Sequence, residues 1–394
     1  SLNMLNKREV NEGQLEPDLP PYTEDPPLYD GPDQKAKFGA LEPLTGTWVN
    51  YNPKGNEVNL GLSATSLPSA GTNSESMPGI FHFLCGNYVE ELTFKPIPGG
   101  VRDRGGTNEL FVGAIEYHQT INDWANGTKG KVIHKETGMY MYLGDLYLHP
   151  VDAEARQEDL GSLFRPDMLL GDHGERFIDH YNICRSGTIP HGSTIQLLGR
   201  DYLPKDGKPN FPAEIDTWDN DHLTIDRSMT TVLPGNEPIG PVNLDKPRPA
   251  WVGNLPNEPT VRKYNERIFA HELYPYSVRP DLRLRDAIKD QNMKKFIFID
   301  MGSRFRANPQ GGVLNTPLVQ RYCPVTEVKF HLWIETVIED DGEEVLQLQY
   351  EQISFFEFSF FLDGSKLRWP HIQVNTLRKK DWVESRMRRD QQNT

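Results

Sequence analysis

Leu367-Arg-Trp-Pro-His-Ile-Gln-Val-Asn-Thr-Leu-Arg-Lys-Lys380 decides how this chain is read. Pro370 has no N–H, so it opens a strand and does not sit inside one. Ile372, Val374 and Thr376 follow at period two, the signature of a strand with two distinct faces. The other face carries His371, Gln373, Asn375 and Leu377. One imidazole therefore stands at the mouth of a closing strand, fixed by a proline on one side and a ladder on the other. The residues admit two readings, a single axial metal ligand or a histidine that caps a strand.

Working backwards, the turn Leu362-Asp-Gly-Ser365 connects this strand to a long aromatic one, Val345 to Phe361, alternating in its first half. Further strands are expected at Tyr88–Phe94, 109–120, 131–143, 295–301, 311–319 and 325–337. Gly138 reads as a bend or bulge in its strand. The stretch from Asn182 to Gly199 reads as two strands broken around Pro190-His191-Gly192. About ten strands, mostly joined by short turns, predict an all-β fold, an antiparallel up-and-down calycin-like barrel. A loop-rich, partly helical insertion is expected at about 200–340, with helices at 260–273 and from an N-cap at Asp281. Residues 55–80, rich in Gly, Ser, Asn and Pro, read as a long loop. Residues 1–36 are polar and proline-rich and read as an extended arm, leaving 37–394 as one domain. The arm or the insertion is the expected oligomer contact, if the chain self-associates.

The chain has 394 residues and a formal net charge of −14, which argues against a nucleic-acid partner. Gly numbers 33 and Pro 31, which suits a turn-rich β protein. Three cysteines, Cys85, Cys184 and Cys323, are too few and too scattered for a disulfide framework. No run approaches the ~20 apolar residues that span a membrane as a helix. A cytoplasmic protein with a small-molecule ligand and no membrane or nucleic-acid partner is the expectation.

Gly46-Thr-Trp48 at the first strand matches the Gly-x-Trp signature of calycin barrels. In those proteins the Trp packs across the closed end against a basic residue of the last strand, here expected to be Arg378. Four segments in order, Leu41-Glu-Pro-Leu-Thr-Gly-Thr-Trp48, Tyr88-Val-Glu-Glu-Leu-Thr-Phe94, His134-Lys-Glu-Thr-Gly-Met139 and Trp369-Pro-His-Ile-Gln-Val-Asn-Thr376, resemble successive motifs of the nitrobindin-like heme-binding barrels. The resemblance covers about residues 38–145 and 340–380; the arm and the insertion depart from that compact family. It implies that His371 ligates the iron of a heme b and that Trp48 is structural. It also implies isomerisation of peroxynitrite, or action on a peroxide, at ferric heme. A carrier barrel for an apolar or aromatic molecule is the alternative.

His191 is the second candidate, as a distal residue steering a small iron ligand; a solvated turn histidine is the plainer reading. His118 and His134 read as packed or surface rings within strands. Glu90 and Glu91 are adjacent and point to opposite faces, so they cannot work as a carboxylate pair. Asp216, Asp219, Asp221 and His222 read as a solvated acidic loop. The cluster Phe355, Phe356, Phe358, Phe360 and Phe361 reads as core and sheet packing.

Overall fold

Alternation along the longest strands sets the architecture. In a computed structural model of the chain, Val328, Phe330, Leu332 and Ile334 of one strand all join a single buried core, and the residues between them face the other way. The structure describes residues 38–51, 61–68, 81–97, 101–103, 110–125, 128–142, 183–209, 230–232, 238–241, 281–304, 311–359 and 366–393. In chain order the strands begin with β1 (Gly46–Val49), β2 (Gly61–Pro68), β3 (Phe81–Pro96), β4 (Val101–Asp103), β5 (Leu110–Ala125) and β6 (Thr128–Tyr142). Next come β7 (Ile183–Ile189), β8 (Ser193–Asp201), β9 (Lys205–Asp206), β10 (Thr230–Val232) and β11 (Pro238–Pro241). The last are β12 (Asn292–Gly302), β13 (Gly312–Asn315), β14 (Val325–Ile338), β15 (Glu344–Ser359) and β16 (Lys366–Lys379). Helices are α1 (Asp281–Ile288), α2 (Pro317–Tyr322) and α3 (Lys380–Gln392).

Ten antiparallel strands close a barrel. From β2 through β3, β5, β6, β7, β8, β12, β14, β15 and β16, each wall strand pairs with the next, and β16 pairs back onto β2. The expected all-β, up-and-down barrel is the observed one. None of the described helices is long and apolar enough to cross a membrane.

One end is plugged. A 3-10 helix, Gly39–Leu44, inserts Leu41 and Leu44, and both are fully buried beside Trp48. The Trp48 indole N–H donates to the Leu44 carbonyl at 2.8 Å. The cation over its ring is Lys379, 5.4 Å from the centroid, and not Arg378. Strand parity is the reason. Leu377 is in the interior core, so Lys379, two residues on, shares its face, while Arg378 points outward. Outside, Arg378 pairs with Glu339 at 2.6 Å and lies over Trp382 at 4.9 Å.

Several local expectations are corrected. Residues 61–68 are not loop but the wall strand β2, pairing both β3 and β16. Its sequence, Gly-Leu-Ser-Ala-Thr-Ser-Leu-Pro, is poor in strand formers, and its two neighbours supply the ladder that fixes it. Gly138 is no bulge: a Cβ there would come within 1.9 Å of the Ser186 carbonyl oxygen, so the glycine permits close approach of β7. The register shifts instead near Asn122, at the other end of the β5–β6 pair. The stretch 311–319 is strand only as far as Asn315; Pro317 then opens α2 at the position where a missing N–H costs nothing. Within the segment read as insertion, β12 and β14 are wall strands. Helix α1 begins at Asp281 itself and buries Leu282, Leu284 and Ile288. The arm 1–36, the helix expected at 260–273, and Asp216, Asp219, Asp221 and His222 lie outside the described residues.

Candidate functional site

The end of the barrel away from the Trp48 floor is hollow. A cavity of about 800 Å³ lies there. Its wall is mostly apolar, with Ile133, Ile189, Ile195, Val325, Val328 and Phe356 among the lining residues. Helix α2 brings Leu318 and Val319 to it, and the half-buried Cys323, which forms no disulfide, follows.

Three imidazoles line this cavity: His371, His191 and His134. His371 comes from β16, on the inward face shared with Gln373, as strand parity requires. Its ring lies 5.4 Å from that of Phe356, inclined at 33°. Burial, together with His134 and His191, pulls its pKa down to about 4, so the ring is neutral near pH 7. His191 stands in the tight turn between β7 and β8, closed by the Gly192 N–H donating to the Ile189 carbonyl at 3.0 Å. Burial and the nearby His134 lower its pKa, against a hydrogen bond with the Ile133 backbone. His134 is the residue that sequence reasoning passed over. Its ring lies 5.3 Å from that of His191, and its Nε2 is 3.2 Å from Glu136 Oε2. His118, by contrast, is exposed on the outside of the wall.

Below the cavity the interior turns polar. Arg185 of β7, almost fully buried, donates to Glu136 Oε1 at 2.7 Å and to Gln352 Oε1 at 3.0 Å. The Tyr117 hydroxyl also donates to Glu136 Oε1. The guanidinium lies 4.4 Å from the Phe330 ring centroid and near the rings of Tyr117 and Tyr140. Burial would raise the Glu136 carboxyl, but Arg185 and the hydrogen bonds from His134 and Tyr117 bring it down to about 2. Glu136 therefore stays an anion, and each of its oxygens is occupied.

A second buried carboxyl completes this layer. Glu90 accepts from Tyr350 and from Asn375 Nδ2 on one oxygen, and from Gln119 Nε2 at 2.9 Å on the other. Burial raises its pKa in spite of those bonds. Glu91 faces outward, where Lys380 lies 3.3 Å away, so the two carboxylates are separated as expected.

Phe355 is buried on the outer face and Phe356 lines the cavity, so the phenylalanine cluster serves both sides of β15. Phe360 and Phe361 lie outside the described residues, and only the backbone of Phe358 is described. Among the described residues no group of three or more His, Cys, Asp or Glu side chains is placed to hold a bare metal ion. Comparison with family models, with curated proteins and with solved structures found no match to this chain.

Proposed function

We propose that this barrel binds a heme b in the cavity, with His371 as the residue that would hold its iron. The observation that carries the reading is a half-buried imidazole, neutral near pH 7, on the wall of an apolar cavity of about 800 Å³. That volume falls in the range of roughly 300–1,000 Å³ used by small-molecule sites. A macrocycle brings four of its metal's ligands with it, so one protein imidazole is enough. The ligating form of histidine is the neutral one, and burial holds His371 in that form well below pH 7. The ordered segments that resemble nitrobindin-like barrels support the same reading.

Bound, the heme supplies a ferric centre able to act on a small oxidant such as peroxynitrite or a peroxide. The chain's own residues would do the rest. His371 of β16 would hold the iron. Phe356 and the β8 and β14 side chains exclude water. His191 and His134 supply nitrogens to whatever occupies the remaining space.

The test is a hemin titration followed by absorbance. Wild type should show saturable binding with a sharp Soret band. His371→Ala should lose the band or shift it to that of loosely held hemin, and His191→Ala should keep it. Absence of saturable binding to wild type would remove the heme reading and leave a carrier of apolar or aromatic molecules. A colourless His191→Ala would keep the cofactor and move the ligand.

A further inference from the structure

We infer that His134 is a general base for a protic guest in the cavity, oriented by Glu136. This rests on the cavity's being a small-molecule site but not on heme. The guest class is an aromatic or apolar molecule that carries an acidic hydroxyl or hydroperoxide group.

The geometry supplies each part that such a base needs. His134 lines the cavity, and its side chain is only 11% exposed. Its Nε2 is 3.2 Å from Glu136 Oε2, and that carboxylate carries a negative charge fixed by Arg185 and Tyr117. An acceptor-only partner requires the proton on Nε2. The basic lone pair is then on Nδ1, because the bond at one ring nitrogen sets the tautomer at the other. A base held by a third group that also stabilises its charged form is the arrangement used to activate hydroxyl nucleophiles. In the step itself the guest's O–H bond breaks and an N–H bond forms at His134 Nδ1. The electron pair stays on the guest oxygen, and Glu136 faces the resulting imidazolium without itself taking a proton.

Charged and titratable groups on every side bear on this ring. Glu136 on its own strand and Glu90 on β3 are the carboxyl groups that interact with it electrostatically. His191 from the β7–β8 turn and His371 from β16 are the imidazoles that do so. Arg185 on β7 lies beyond the carboxylate, where Glu136 neutralises it. His191 is not equivalent: its anchor is the Ile133 backbone, which carries no net charge to stabilise an imidazolium.

The experiment uses the full chain without heme, with 4-nitrophenol as the probe. Its colour reports whether it is bound as phenol or phenolate. Wild type should bind it as phenolate at a pH where free probe is mostly phenol, an apparent shift of about one unit or more. His134→Gln should bind it with the shift lost, and His191→Gln should keep the shift. Glu136→Gln leaves Arg185 unpaired and is open to misfolding, so nitrogen-15 NMR of wild-type imidazoles is the second measurement; it should show His134 as the Nε2–H tautomer. The inference is overturned by a probe that stays phenol on wild type or does not bind. A shift that survives in His134→Gln, or a proton on His134 Nδ1, overturns it as well. A failed hemin titration with the phenolate shift intact would sink the heme reading alone.

Discussion

Two polar regions are buried in this barrel, one on each side of the same wall, and they are built in opposite ways. Inside, below the cavity, Glu136 meets Arg185, Tyr117 and His134, and the carboxyl is held ionised with its pKa down at about 2. Outside, on β14, Glu335 is also fully buried, yet among the described residues its donor is Gln347 Nε2 at 2.8 Å on Oε1, and Oε2 has no hydrogen-bond partner. Burial there outweighs the hydrogen bond and raises its pKa to about 8. Nearby, His331 lies 3.4 Å from Asp300 and 3.8 Å from Glu351. Burial works against its charge, but the hydrogen bonds to those carboxylates overcome it and raise the pKa to about 9. The inner layer satisfies its charges by pairing, whereas the outer patch keeps one carboxyl neutral. Burial alone therefore does not tell a charged group from an uncharged one; an opposite charge in direct contact, as Arg185 is with Glu136, does.

The largest effect should come from splitting the inner pair. Arg185→Met leaves an anion buried beneath the cavity and should cost about 3–5 kcal/mol in urea unfolding, with Arg185→Met/Glu136→Gln recovering a substantial part. If the single variant is as stable as wild type, the inner layer is not a paired one.

Next is the pH dependence. Glu335 keeps its proton in the fold up to about pH 8, while unfolded chain loses it near the ordinary value of 4.5. Stability from this group is therefore greatest below pH 4.5 and falls until about pH 8. The favourable contribution of His331 is complete below pH 6.5 and is lost as pH rises through about 9. Glu335→Gln should then gain about 1–3 kcal/mol on wild type between pH 5 and pH 9, read from Tm. A variant that tracks wild type across that window would show Glu335 to be ionised in the fold.

The acid limb belongs to the interior. Glu136 stabilises above pH 4.5, and its contribution goes as pH falls through about 2. His371 resists protonation down to about 4, so stability declines from pH 6.5 to 4 as unfolded chain takes up the proton first. His371→Phe should flatten that decline by about 1–2 kcal/mol in apo protein. An unchanged acid limb would mean that His371 is solvated.

The smallest effect is at the floor. Lys379→Met should remove a cation–π contact of about 0.5–1 kcal/mol, whereas Arg378→Met should leave the Trp48 fluorescence unmoved. A Trp48 signal that responds to Arg378→Met would overturn the strand parity described above.

That parity was legible in the chain. His371, Gln373, Asn375 and Leu377 share a face, and Lys379 falls on it by the same count. Expecting Arg378 followed a family habit instead of the local period. The wall was legible because alternation in β14 and β15 is strong. β2 was not, because a strand held by ladders on both sides needs little propensity of its own. The outer patch was hidden for a related reason. Gln347, Gln349 and Glu351 alternate with Leu346, Leu348 and Tyr350, a pattern that ordinarily means solvent outside, yet all three polar residues are buried. Gln349, for one, donates to the Leu284 carbonyl of α1. The meeting of His134, His191 and His371 depends on barrel closure, which no local window contains.

The closure has a kinetic side. Every neighbour pair in the wall is sequential except one, the seam where Leu62 faces Val374 and Ala64 faces Ile372. During synthesis β2 and β3 emerge early and must wait, with one edge open, until β16 follows nearly the whole of the remaining wall. Loop-closure entropy is charged to that single step, which makes it the natural bottleneck of folding. The residue proposed to hold the cofactor, His371, sits one position before the seam, so the cavity takes shape only at the last event.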